Sequence, residues 1–236
     1  MSEFKDEHGH PIGPPMPGWT TRELPSRTKM TGRFCTLEPL NVQYHARDLF
    51  ESYGGGEDGR NWTYLNSKPA SEFEAFENWL KNSCLGDDPL FHAIVDRKTE
   101  KAVGVAAYMR IDRVNGCIEV GSINYAAALK QTAAGTEAMY LMMKRVFDEL
   151  GYRRYEWKCD SLNAGSKRAA SRYGFTFEGV FRQALVTKGR NRDTAWFSIV
   201  DQEWPAIKTA FEEWLPAENM SEDGRQKKPL AAFMPE

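Results

Sequence analysis

The stretch "ALKQTAAGTEAMYLMMKRVFDELGY", Ala128 to Tyr152, holds two kinds of sequence side by side. Its second half is an amphipathic helix. Met139, Met142, Met143, Val146, Phe147 and Leu150 fall at i, i+3, i+4, i+7, i+8 and i+11, and Gly151 stops the run. Its first half, "KQTAAGT", has almost no side-chain bulk where that helix begins. A helix start presents unpaired backbone N–H groups and a partial positive charge, and small residues there let a phosphate reach those donors. The competing account is a tight strand-to-helix turn whose small residues serve packing. Neither Gly-x-x-x-x-Gly-Lys-Ser/Thr nor Gly-x-Gly-x-x-Gly is present, so the expected phosphate carrier is not a P-loop or Rossmann nucleotide.

Upstream, the period is that of strands. "LFHAIVD", "AVGVAAYMRID" and "CIEVGSINY" read as a meander, the last two joined by an Asn115-Gly116 turn. Before them "GRFCTLEPL" alternates as a strand, Asn41 caps a helix running to about Ser52, and "GGGEDG", Gly54 to Gly59, breaks it. Ser71, with Glu74 three residues on, forms a capping box for a helix ending near Leu85. Downstream, "YEWKC" is a short strand, and Asn163 to Arg172 is a short helix closed by Gly174. "FTFEGVFRQALVTK" and "DTAWFSIVD" are strands around the turn "GRNR", and Glu203 to Leu215 is a last helix. This order predicts one α/β domain, a mixed sheet covered by helices, over residues 31–215. Residues 1–30, rich in Pro and Gly, form an extended arm, either disordered or laid across the surface. Residues 216–236 read as a loose tail whose Phe233-Met234 pair hints at docking.

The chain of 236 residues is long enough for a sizeable core, and seven Trp supply bulk for it. A formal net charge of -2 gives no sign of nucleic acid or an anionic membrane as partner. No run is apolar and long enough to span a bilayer, and the N-terminus lacks a signal peptide's apolar stretch. Cys35, Cys84, Cys117 and Cys159 are scattered without a Cys-x-x-Cys pair, as in a cytoplasmic protein with reduced thiols. No metal site is expected.

"DSLNAGSKRAASRYGF", Asp160 to Phe175, is the second informative stretch. With the first it resembles the GNAT superfamily of N-acetyltransferases, particularly the ribosomal-protein N-terminal acetyltransferases and their relatives. That family's pyrophosphate loop reads Gln/Arg-x-x-Gly-x-Gly/Ala, often followed by Thr-Glu-Ala. Thr136-Glu137-Ala138 anchors the match, which puts Lys130 on the Gln/Arg position, Ala133 on the first Gly and Gly135 on the Gly/Ala. The later Asn-x-x-Ser...Gly-Phe pattern falls on Asn163, Ser166, Gly174 and Phe175. The resemblance covers roughly Thr31 to Trp214. It implies a mixed, mostly antiparallel sheet of six to seven strands flanked by helices, and acetyl-CoA as the bound phosphate carrier. Two departures stand out. Ala133 replaces a glycine, and the tyrosine that many of these enzymes use as general acid would fall on Ala170.

The resemblance implies acetyl transfer to a primary amine, small molecule or peptide, by direct attack in a ternary complex. The alternative is an acyl-CoA-binding module without transferase activity. A homodimer is an expected assembly. Lys130, Gln131, Thr132, Ala133, Ala134, Gly135 and Thr136 are the expected pyrophosphate cradle, through the backbone N–H groups from Gln131 to Thr136 and the Thr136 hydroxyl. Lys167, Arg168 and Arg172 would meet the 3′-phosphate or form a solvated basic face. Asn163 would hold the pantetheine arm, orient Ser166 or simply cap the helix, and Ser166 would assist the leaving thiolate. Glu119, mid-strand in "CIEVGSINY", is the candidate general base, or else it faces solvent or pairs with a neighbouring strand's lysine or arginine. The backbone around Ser122 to Asn124 would polarise the thioester carbonyl. "GGGEDG" with Trp62 is either a lid or a plain loop, and Arg190 and Arg192 in "KGRNRDTAW" could meet an acidic acceptor.

Overall fold

Asn41 starts the first helix as its residue type predicts. Its Oδ1 accepts the N–H groups of Gln43 at 2.9 Å and Tyr44 at 3.3 Å, opening α1 (Val42–Ser52). The capping box expected at Ser71 does not form. α2 (Phe73–Ser83) begins from Glu72, which makes no side-chain cap bond. Packing sets that start instead: Phe73 and Phe76 each meet Phe50 of α1 at 5.7 Å between ring centroids. The structure is a computed structural model describing residues 3–55, 59–221 and 225–235.

The helices cover one eight-stranded sheet in the order β1-β2-β3-β4-β5-β6-β8-β7. The strands are β1 (Met30–Thr31), β2 (Cys35–Pro39), β3 (Leu90–Asp96), β4 (Ala102–Asp112), β5 (Cys117–Tyr125), β6 (Arg154–Asp160), β7 (Thr176–Thr187) and β8 (Arg190–Val200). The eighth strand, beyond the six to seven expected, is β1, too short for two-residue alternation to mark in sequence. The "GRNR" turn is also displaced. Lys188 and Gly189, at φ 51° and 75°, make a two-residue hairpin turn, so Arg190 and Arg192 belong to β8.

Each sheet face has its own core. α3 (Ala133–Lys144), α4 (Ala164–Arg172) and α5 (Trp204–Trp214) cover one face, packing on Ile118, Val120, Tyr155, Trp157, Phe197 and Ile199. α1 and α2 cover part of the other, over Phe91, Ala93, Val105 and Ala107. The periodic apolar face of α3 is buried as its spacing predicts, though the helix leaves the α geometry at Arg145–Glu149, which form a π-turn.

Glu137 ties α3 to the sheet. Its carboxylate accepts the N–H groups of Arg33, Phe34 and Cys35 at 2.6–2.9 Å, and any Cβ on Gly32 would run into it. The N-terminal arm lies across the surface. Trp19 Nε1 donates to Val114 O at 2.9 Å, Tyr152 Oη to Glu23 O at 3.0 Å and the buried Arg145 to Thr28 O at 2.8 Å. The C-terminal segment docks on α5: Trp214 Nε1 donates to Gln226 Oε1 and Lys228 O, Leu230 is fully buried, and Phe233 and Met234 pack on the core. Cys35, Cys84, Cys117 and Cys159 are free thiols. No helix among the described residues is long and apolar enough to cross a membrane, and no group of metal-ligating side chains occurs among them.

Candidate active site

β5 and β6 run parallel, unlike every other neighbouring pair, and they pair only from Cys117–Val120 against Arg154–Trp157. Both strands continue, β5 to Tyr125 and β6 to Asp160, without pairing to each other. The sheet is therefore split beyond Val120 and Trp157. β5 is also bulged there: Ser122 has φ 50°, and the register with β4 jumps from Ala107↔Gly121 to Val105↔Asn124. The stretch from Ser122 to Asn124 thus borders the split.

The small-residue loop leads from this split into α3. Thr132 is the N-cap. Its hydroxyl donates to Leu129 O at 2.8 Å and accepts the Gly135 N–H at 3.1 Å. Thr136 N–H bonds to Thr132 O at 3.2 Å. The N–H groups of Gln131, Thr132, Ala133 and Ala134 take no protein partner among the described residues. Four open donors at the start of a helix fit a pyrophosphate. The donor set is thus narrower than Gln131 to Thr136. Gln131, at φ 61°, holds the left-handed position of the loop, whereas Ala133 is an ordinary helical residue and needs no glycine.

Three expectations for this loop are corrected. Gly135 faces inward: an added Cβ would lie 2.6 Å from Leu129 O and 3.1 Å from Tyr125 Cε2, so its smallness serves packing. The Thr136 hydroxyl is not a free donor, because it donates to Thr132 O at 3.1 Å and accepts from Arg172 Nη1 at 3.0 Å. Arg172 is instead held by that bond and by stacking over Tyr173 and Trp214. Lys167 is half-buried and Arg168 exposed, neither with a side-chain bond among the described residues. The Lys130 ammonium donates to Asn61 Oδ1.

Asn163 caps α4, its Oδ1 accepting the Ser166 N–H at 3.0 Å. Ser166 Oγ accepts the indole N–H of Trp157 at 2.9 Å, which sets the hydroxyl against β6 at the edge of the split. Beside it the Cys159 thiol is pushed up by burial. Ala170 is fully buried and leaves no hydroxyl where the family's tyrosine would stand. Tyr173, the nearest tyrosine in sequence, is buried between helices and burial raises its phenol.

On the opposite face, that of α1 and α2, Glu119 is 2 % exposed. Arg110 Nη1 donates to both its oxygens at 2.8 and 2.7 Å, and Lys158 Nζ lies 3.0 Å from Oε2. Burial raises its pKa while Lys158 and Arg110 pull it back. Lys158 also meets Glu156 at 2.7 Å and sits 3.7 Å over the Trp196 ring, and Arg154 joins Glu156 to Glu178. This is the cross-strand pairing kept open as the second account of Glu119. Arg110 was not legible in sequence, since a β-bulge at its φ of 49° turns it toward β5.

The segment after α1 bridges the split on this face. Asn61 Nδ2 donates to Tyr125 O at 3.1 Å, Tyr64 Oη to Leu162 O at 3.3 Å, and Lys188 Nζ, from the β7–β8 turn, to Trp62 O at 2.6 Å. Trp62 is buried against Tyr53 and Trp79, an anchor in the core. Gly56, Glu57 and Asp58 of the expected lid lie outside the described residues.

Residues 35–176 match the acetyltransferase (GNAT) domain family. The solved structure of a GCN5-related N-acetyltransferase from Brucella melitensis is 48% identical, covers 92% of this chain and 99% of its own, and superposes with a TM-score of 0.90. A probable GNAT-family acetyltransferase from Chromobacterium violaceum is 38% identical over 84% of this chain and 98% of its own, at a TM-score of 0.77. An uncharacterized N-acetyltransferase p20 of Bacillus licheniformis is 27% identical over 114 residues, 48% of this chain, and the match spans 62% of that relative's length.

Proposed function

The chain belongs to the GNAT acetyltransferase family, and on that premise we propose that it transfers the acetyl group of acetyl-CoA to a primary amine by direct attack in a ternary complex. The amine is that of an amino acid, a peptide N-terminus or a small molecule. Within the family we set it beside the ribosomal-protein N-terminal acetyltransferases, on the Asn163-x-x-Ser166 spacing. The observation that carries the reading is the row of four open N–H groups, Gln131 to Ala134, at the edge of the split between β5 and β6.

When bound, acetyl-CoA supplies an activated acyl group and a thiol leaving group. The loop from Gln131 to Ala134 binds its pyrophosphate. Ser166, fixed by Asn163 and Trp157, stands on the α3–α4 face and assists the departing sulfur. Glu119, on the other face, takes the amine's proton. Burial holds the Glu119 carboxyl above the usual carboxylate range despite Lys158 and Arg110, and an α-amine with a pKa near ~8 needs little assistance. The amine therefore enters from the α1–α2 face and the thioester from the α3–α4 face, meeting in the split.

Thermal denaturation with acetyl-CoA, paired with free-thiol release over an amine panel, tests this. A ligand at ~100 times its Kd adds about 2.7 kcal/mol, so melting should rise by several degrees. No shift at millimolar acetyl-CoA would sink the reading. A shift with no thiol release from any amine would return the chain to an acyl-CoA-binding module.

A further inference from the structure

Along β8, Arg192, Thr194 and Trp196 alternate onto one face. The register with β6, Thr194↔Asp160 and Trp196↔Lys158, makes it the face of Lys158 and Glu119. Each of the three carries a buried polar atom without a hydrogen-bond partner: Arg192 Nε, Thr194 Oγ1 and Trp196 Nε1. Asn124 Nδ2 is a fourth, on β5 across the split. It shares its face with Val105, hence with α1 and α2. Thr194 and Asn124 are 4 % and 3 % exposed, so water does not reach them freely. A buried donor left unpaired costs about 1–3 kcal/mol, and such groups are rare. Four of them lie on one face and flank one gap.

Their chemistry specifies the complement. A guanidinium, an indole N–H and a carboxamide NH₂ only donate, and the threonine hydroxyl can join them. The glutamates of this face are already paired: Glu119 with Arg110 and Lys158, Glu156 with Lys158 and Arg154, Glu178 with Arg154 and Ser198. Asp160, level with Thr194, accepts the Leu162 N–H and makes no ion pair among the described residues. Arg192 makes no ion pair among the described residues, and its Nε is buried without a hydrogen-bond partner. Alternate strand residues are ~7 Å apart, and Trp196 lies level with Lys158 at the start of the split. Thr194 and Arg192 thus stand roughly one and two such steps from the reacting amine.

We propose that the acceptor amine carries a carboxylate, one to two residue lengths from its reactive nitrogen, and that Arg192, Thr194, Trp196 and Asn124 bind it. The acceptor is then an amine with a remote acidic group, such as a peptide end with an acidic residue. This rests on the acetyltransferase reading for the identity of the amine, but the anion site is testable by binding alone.

The test is calorimetric titration, in saturating CoA, of Ala-Glu amide, Ala-Asp amide and 4-aminobutyrate against their matched carboxamides. The acids should bind at least ~10-fold tighter than the amides, the range for a hydrogen bond to a charged group. Arg192→Gln should erase that ratio, while Arg192→Lys, which keeps the charge but loses the fork, should retain part of it. Thr194→Val, nearly isosteric, should weaken acids more than amides. Equal binding of acids and amides, no binding of any acid, or an acid preference that survives Arg192→Gln overturns the proposal. Acids that bind with this preference yet release no thiol from acetyl-CoA would retain the anion site and reject the transferase reading. Turnover of acids and amides at equal rates and affinities would do the reverse.

Discussion

Replacing Gly135 separates a packing role from a ligand-facing role for the loop that starts α3. An alanine Cβ at this position would lie 2.6 Å from Leu129 O, where ordinary contact begins at 3.4 Å, so the carbonyl must retreat by about 0.8 Å. That carbonyl is the acceptor for the Thr132 hydroxyl, which in turn caps the Gly135 N–H. Overpacking of this kind costs about 1–3 kcal/mol, and loss of an N-cap about 1 kcal/mol more. Exchange of glycine for alanine within a helix returns up to about 1 kcal/mol. The net is about 2 kcal/mol, which for a chain of this size lowers Tm by roughly 4–8 °C. Because Thr132 and its neighbours carry the open N–H groups, CoA affinity should fall by ~10-fold as a secondary effect, equivalent to 1.4 kcal/mol. Differential scanning calorimetry and CoA titration on Gly135→Ala measure the two effects. Lost CoA binding with an unchanged Tm would refute the argument, since it would mean that position 135 looks onto the ligand.

Ser166→Ala should lower kcat by up to ~10²-fold with acetyl-CoA affinity nearly unchanged, because help to the departing sulfur matures in the transition state. It should also cost a few degrees in Tm, as Trp157 Nε1 loses its acceptor; an unaltered kcat would remove Ser166 from the chemistry. Glu119→Gln should hurt most at low pH, where the amine is protonated, with the defect shrinking as pH rises through the amine pKa; the same loss at every pH would make Glu119 a structural partner of Arg110 and Lys158. His92 is fully buried with both ring nitrogens unpartnered, and burial lowers its pKa to about 4. The folded state thus resists protonation, so stability falls as pH drops from the unfolded value near ~6.5 toward ~4, by about 2 kcal/mol at pH ~5. His92→Leu should flatten that part of the pH–stability curve in denaturant titrations, and a curve parallel to wild type would show that His92 does not titrate there.

Sequence alone determined what is local. The order of strands and helices, the Asn41 and Asn163 caps and the buried stripe from Met139 to Phe147 follow from periodicity and capping within a few residues. The small-residue helix start was legible for the same reason, because an open N-terminus is a property of the segment itself. Packing alone decided which of those small residues point inward: Gly135 is small for the sake of Leu129 and Tyr125, and the open donors lie just before it. The split between β5 and β6 arises between strands far apart in sequence, and the partners of Glu119 come from β4 and β6. Faces along β8 were equally hidden. Strand side chains alternate with a period of two, so the face of Arg192, Thr194 and Trp196 depends on which two residues make the β7–β8 turn and on the register with β6. A turn placed at "GRNR" leaves the arginines on a solvated tip. One placed at Lys188-Gly189 carries Arg192 into the strand, half-buried, with its Nε shielded from water and without a partner.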